Sequence, residues 1–247
     1  EILSGLVGSE MCIRDRGYFD HWVPTATLTD AQLAERIRTD GIDILIDVAG
    51  HTAGNRLGTF ARKPTPVSLT WLGFGYTTGL SAIDYIMTDA VMLPEGFEPF
   101  FSEKPWRLAQ SNFVYRPAKG MGDPGPLPAV ANGYVTLGTL TRAIRMNDRT
   151  MRVWSEILRR LPQAHLVVNS TSYRDGPMSE QLIRRFEAHG IERQRLEIGC
   201  TSPAWDVLRG MDIGLDCFPH NSGVTLVETL YMLSLIHISE PTRPERI

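Results

Sequence analysis

The chain has 247 residues, 43% hydrophobic and 21% charged, with a formal net charge of -3. That balance suits a globular protein and excludes the strongly basic face expected of a nucleic-acid or anionic-membrane binder. No apolar run approaches the roughly 20 residues that a membrane-spanning helix needs.

From the N-terminus, residues 6–16 (LVGSEMCIRDR) have a counterpart in residues 233–243 (LSLIHISEPTR). The two peptides resemble translations of opposite strands of one transposase adapter used to prepare short-read DNA libraries. Residues 1–16 and 233–247 are therefore expected to be adapter-derived and no part of the natural fold. The natural segment then runs from 17 to 232, cut at both ends. Cys12 falls in the excluded part, which leaves Cys200 and Cys217, not in CxxC spacing. A disulfide framework or zinc site is not expected, and a reducing cytoplasm is the default.

Asp30 is expected to cap a helix, AQLAERIRTDG, with Leu33, Ala34 and Ile37 on one face and Gly41 as its stop. Residues 42–48 (IDILIDV) read as a buried strand followed by a loop, Gly50-His51-Thr52-Ala53-Gly54. A short helix is expected at 57–62, a strand at 66–73 (PVSLTWLG), a glycine- and threonine-rich loop at 74–79, and a short strand at 84–89. Residues 116–133 (RPAKGMGDPGPLPAVANG) are rich in proline and glycine and read as a linker. A second α/β run follows: strand YVTLGTL from 134, loop TRAIRMND, and helix MRVWSEILRRLP with Met151, Val153, Trp154, Ile157, Leu158 and Leu161 apolar. Then come strand 165–169, helix SEQLIRRFEAHG, strand 196–199, short helix PAWDVLRG, strand 212–218, and a helix, LVETLYM, opening after Asn221-Ser222-Gly223-Val224-Thr225. Such alternation implies parallel sheets.

In parallel α/β sheets, ligands bind in the loops leaving the strand C-termini. Four loops qualify: 51–55, 74–79, 139–145 and 219–225. In the last, Ser222 and Gly223 precede a helix whose first amides and dipole suit a phosphate, with Glu228 placed to accept from ribose hydroxyls. The same residues also fit a plain N-cap, with Ser222 or Thr225 capping. Arg142 and Arg145 follow a strand and suit bidentate phosphate contact, or form a solvated basic turn. His51, in its glycine-flanked loop, is a candidate catalytic base or donor, or a structural histidine. Trp71 reads as core; Trp205 either stacks on a base or covers a strand edge. GxSxG, P-loop, HExxH and post-strand GxGxxG motifs are absent. No Asp-x-Asp pair offers a divalent metal site for a nucleotide sugar.

Residues 40–89 contain WLG-x-x-x-TTG, and residues 212–232 contain LD-x-FP-x-N-x-x-x-T. With residues 137–168, these stretches resemble the catalytic region of the O-linked N-acetylglucosamine transferase/SPINDLY family, glycosyltransferase family 41. The resemblance implies two Rossmann-like lobes of GT-B type, both incomplete here, at 17–115 and 134–232. It implies an inverting, metal-independent transfer of GlcNAc from UDP-GlcNAc, bound between the lobes, to Ser or Thr hydroxyls of proteins. By position, Leu72, Gly73, Thr77 and Thr78 would line the sugar side. Arg145 would stand where the family commonly has a lysine on the diphosphate, and Arg142 where a polar residue touches the nucleotide. Gly223, Val224 and Thr225 would start the phosphate-binding helix, and Glu228 would take the ribose position. Gly223 and Val224 replace a His and a Thr of better-known members, which removes two side-chain donors.

The family's N-terminal histidine-bearing segment and tetratricopeptide repeats would lie upstream in the parent protein, so the fragment itself is expected to be inactive. No nucleic-acid or membrane partner is implied. Alternative readings are another nucleotide sugar such as GDP-fucose, a glycan acceptor, or a degenerate, non-catalytic nucleotide-binding lobe.

Overall fold

The computed structural model describes residues 19–232 and the backbone of 235–237. The N-terminal adapter assignment, and all of the C-terminal one except that short strand, lie outside the described residues. The chain divides into two compact units, one through Val114 and one from Tyr115.

The first unit contains helix α1 (Asp30–Thr39), strand β1 (Ile44–Asp47), a helical turn α2 (Leu57–Phe60), and strands β2 (Val67–Thr70), β3 (Tyr85–Thr88) and β4 (Lys104–Arg107). The strands form one parallel sheet in the order β1-β2-β3-β4. Helix α1 starts one residue earlier in its cap than the sequence suggested. Thr29, not Asp30, is the N-cap, in a reciprocal capping box with Gln32. Asp30 instead accepts hydrogen bonds from Thr59 Oγ1 at 3.0 Å and Arg56 at 3.3 Å, tying α1 to α2. The apolar face of α1 packs as expected: Leu33 and Ile37 join Ile42, Leu45, Phe60 and Ile83 in the core.

Strand β4 was not foreseen. Its sequence, Lys-Pro-Trp-Arg, contains Pro105, and proline is confined to edge strands because it gives the ladder no N–H. Among the described residues β4 pairs only with β3, Pro105 opposite Ile86.

The second unit contains α3 (Pro128–Asn132), β5 (Thr136–Thr139), α4 (Asp148–Arg160), β6 (His165–Asn169), α5 (Pro177–Ala188), β7 (Leu196–Gly199), α6 (Trp205–Arg209), β8 (Ile213–Leu215), α7 (Val224–Tyr231) and β9 (Leu235–His237). All strands run parallel, in the order β7-β6-β5-β8-β9. The core buries Met151, Trp154 and Leu158 of α4 against Leu166, Val168, Leu182 and Phe186. Val153 and Leu161, also expected on the apolar face of α4, stay exposed.

Segment 116–133, read as a linker, packs onto this unit. Met121 is buried beside Leu208, Met211 and Met232, and its carbonyl accepts from Arg209 at 2.6 Å. Trp205, partly buried, packs against Gly120 and joins the same cluster. Among the described residues no helix is long and apolar enough to cross a membrane.

Candidate functional site

The four loops singled out from the sequence meet in pairs, one pair in each unit, because β1 adjoins β2 and β5 adjoins β8.

In the first unit, buried Asp47 ends β1 and accepts from the backbone amides of Ala49 (3.1 Å) and Gly50 (2.9 Å) and from Thr70 Oγ1 (2.8 Å). This fixes the start of the loop that carries His51. His51 is exposed, with its ring edge-on to Phe74 at 5.3 Å. The loop after β2 presses against the same place: a Cβ on Gly73 would lie 2.0 Å from the Val48 carbonyl oxygen, so only glycine fits. Just before it, Leu72 is exposed and holds φ +63°, with Gly73 N–H donating to the Trp71 carbonyl at 2.7 Å. That is a tight three-residue turn in a conformation rare for a branched side chain, the kind of outlier that gathers at functional loops. Trp71 is only partly buried, and its indole Nε1 donates to the Asn112 carbonyl at 3.2 Å.

Thr77 and Thr78 are committed to a residue the sequence did not flag. Glu103 accepts from Thr77 Oγ1 at 2.7 Å, from Thr78 N at 2.8 Å, and from the Thr78 hydroxyl. Burial alone would raise the Glu103 carboxyl; these hydrogen bonds outweigh it and hold it below the usual range. In this state both hydroxyls brace the loop from within. Glu103 is separated from them by about a strand and two turns of chain, so no local pattern marks it.

In the second unit, β5, β6 and β7 build outward on one side and β8 returns to the other side of β5. The junction of the β5 and β8 loops is a topological switch point, where α/β sheets place ligands. Arg145 ends a 3₁₀ turn (Ala143–Arg145) after β5. Its guanidinium reaches the β8 loop, with NH1 on Ser222 Oγ at 3.1 Å and NH2 on His220 Nε2 at 3.3 Å. Asn147, the N-cap of α4, ties the same two loops by donating to the Phe218 carbonyl at 2.6 Å. Asp216 accepts from Ser222 N at 2.8 Å, while its other carboxylate oxygen is buried without a partner. Arg142 stands exposed at the start of the turn.

Helix α7 begins at Val224 with Gly223 as N-cap and no side-chain cap. The plain-cap expectation for Ser222 or Thr225 is thereby corrected: Ser222 Oγ is turned to Arg145, and Thr225 offers its carbonyl to Thr229 Oγ1 at 2.7 Å. A helix start without a cap leaves its first amides for another acceptor. Val224 is exposed there, and Glu228 sits half-buried on the same helix. Burial pushes the Glu228 carboxyl up, with no hydrogen bond opposing it. Tyr115 and Tyr231 lie near it, their rings 6.2 Å apart. Cys217, next to Asp216, is no nucleophile: burial pushes its thiol up to about 11. Among the described residues no group of three or more His, Cys, Asp or Glu side chains is placed to hold a metal ion.

A family model described as Glycosyl transferase family 41 matches residues 16–120. The tomato (Solanum lycopersicum) protein named "Probable UDP-N-acetylglucosamine--peptide N-acetylglucosaminyltransferase SPINDLY" is 34% identical over 85% of this chain and 23% of its own length. The Arabidopsis thaliana protein of the same name is 33% identical over 85% of this chain and 24% of its own length. A solved structure of a Thermobaculum terrenum O-GlcNAc transferase mutant superposes with a TM-score of 0.81 at 33% identity, covering 93% of this chain and 44% of that one. The chain thus spans less than a quarter of the length of these curated relatives, and under half of the solved one.

Proposed function

This chain belongs to glycosyltransferase family 41, and from that membership we propose that its parent protein moves GlcNAc from UDP-GlcNAc to Ser or Thr hydroxyls of proteins. The observation that carries the reading is Arg145. A guanidinium held by a serine hydroxyl and an imidazole nitrogen, at a sheet switch point and beside an uncapped helix start, is a receptor for a diphosphate.

In this reading the acceptor oxygen attacks the sugar's anomeric carbon from the face opposite UDP. The bond to the diphosphate oxygen breaks as the new bond forms, with inversion. The hydroxyl proton passes to a base, for which exposed His51 at the end of β1 is the candidate. UDP departs as an anion onto Arg145 and the amides of Val224 and Thr225. Stabilising that developing charge is the step that dominates such catalysis. Glu228 takes the ribose, Arg142 the nucleotide, and Leu72 and Gly73 the sugar side. Thr77 and Thr78 serve that side by shaping its loop. A soluble protein acceptor and upstream tetratricopeptide repeats complete the proposed parent, with the cytoplasm as its compartment.

The test is donor-dependent transfer by the full-length parent with Arg145→Ala. A fall of about 100-fold or more in kcat is expected, the scale of losing one donor to a developing anion. Because protein cations and amides neutralise the diphosphate in this scheme, transfer is expected to survive EDTA. UDP, and not GDP, is expected to compete with the donor. Undiminished transfer by the variant would refute the role given to Arg145, and competition by GDP alone would move the donor to a guanosine sugar.

A further inference from the structure

The donor-site reading leaves His220 without a role, yet its imidazole is one of the two groups that hold Arg145. A guanidinium has donors and no acceptor, so Nε2 of His220 is the accepting atom in this 3.3 Å contact. Ser222 takes NH1 and His220 takes NH2. Acceptors on two different nitrogens fix the plane of the fork, which one bond on a long, flexible stem cannot do.

The backbone of His220 is itself held on both sides. Phe218 is tied through its carbonyl to Asn147, and Ser222 through its amide to Asp216. The imidazole is exposed and joins no other hydrogen bond that would explain its orientation among the described residues. Its partner, Arg145, has no carboxylate in ion-pair contact among the described residues, so its charge stays available to an incoming anion.

We infer that His220 is a positioning residue for the donor diphosphate: with Ser222 it sets the plane of the Arg145 guanidinium beside the first turn of α7. The inference rests on the nucleotide-sugar reading above and adds to it a residue that acts through Arg145 and need not touch the ligand.

The experiment is calorimetric titration of UDP into the whole chain and its variants, with circular-dichroism melting to verify folding. His220→Ala is expected to weaken UDP binding about five- to tenfold, the scale of one typical net hydrogen bond. His220→Gln, whose side-chain carbonyl can accept from Arg145, should recover most of the loss. In an Arg145→Ala background, His220→Ala should have no further effect, an outcome that a general structural role for His220 would not produce. If the parent chain binds no UDP, the nucleotide reading fails and this inference falls with it. If the chain binds UDP and His220→Ala binds equally well, the inference alone is overturned. An equal loss with and without Arg145 also overturns it, since His220 would then act by another route.

Discussion

Glu228 shows how one side chain can report on a site through stability. Its carboxyl is pushed up by burial, so the folded chain holds a proton that the unfolded chain gives up at lower pH. The contribution of Glu228 to stability is therefore greatest below the ordinary carboxylate range and falls as pH rises toward and through the raised value. Glu228→Gln keeps the shape and removes the charge. Without nucleotide, the variant should melt at the same temperature as the parent at acid pH and higher than it near neutrality. With UDP present the order should reverse, because the carboxylate that destabilises the empty helix is the proposed ribose acceptor. Thermal melts across pH, with and without UDP, check both halves. A variant no more stable near neutrality would show that the buried charge is solvated after all. His220 and Glu103 teach the complementary lesson. Each acts on a partner distant in sequence, His220 on Arg145 at a separation of 75 and Glu103 on Thr78 at 25. Glu103 lies in no motif, and His220, although inside the 219–225 loop, occupies an unspecified position of its motif; Arg145 and the α7 start, by contrast, were legible as a cation after a strand and a small-residue helix opening.

At the scale of elements, the alternation of helix and strand patterns predicted nearly every element in its order, since parallel βα units repeat one physical signal. The misses have local causes. Pro105 hid the edge strand β4, and two adjacent capping residues, Thr29 and Asp30, competed for one helix start that the capping box with Gln32 decides. Segment 116–133 looked unstructured by composition, but Met121 docks on the cluster around Trp205 and Leu208, and the Ala129 amide donates to Asp212 at 2.8 Å. The junction of the β1 and β2 loops is tighter than composition suggested. Gly73→Ala would drive a methyl into the Val48 carbonyl, and backbone lines both sides of the clash, so neither can swing away. A loss of roughly 2–4 kcal/mol is expected, in the range of buried steric conflicts, read as a lower denaturant midpoint. A change under about 0.5 kcal/mol, the scale of neutral surface substitutions, would mean the two loops part easily and do not form a fixed platform for His51 and Leu72.

On the scale of the molecule, the two units differ in what each can do alone. Each has its own parallel sheet and its own buried cluster. The residues proposed to hold UDP are all in one of them: Arg142, Arg145, Ser222, the amides at Val224 and Thr225, and Glu228 follow Tyr115 in sequence. His51, Leu72 and Gly73, proposed for the acceptor and sugar side, precede it. This division makes nucleotide affinity and transfer separable properties. A chain beginning at Tyr115 contains the switch-point loops and their supports, Asn147 and Asp216, intact. It should bind UDP within about threefold of the whole chain, a difference of less than 1 kcal/mol, while supporting no transfer. Calorimetric titration of both chains, with melting curves to show that each folds, decides the matter. If the shorter chain folds and binds no UDP while the whole chain does, then residues before Tyr115 contribute to holding the nucleotide, and the donor site must be redrawn to include the loops of the first unit. Equal affinity would instead assign the first unit to the sugar and acceptor, the division of labour that the exposed, strained turn at Leu72 and the exposed His51 already suggest.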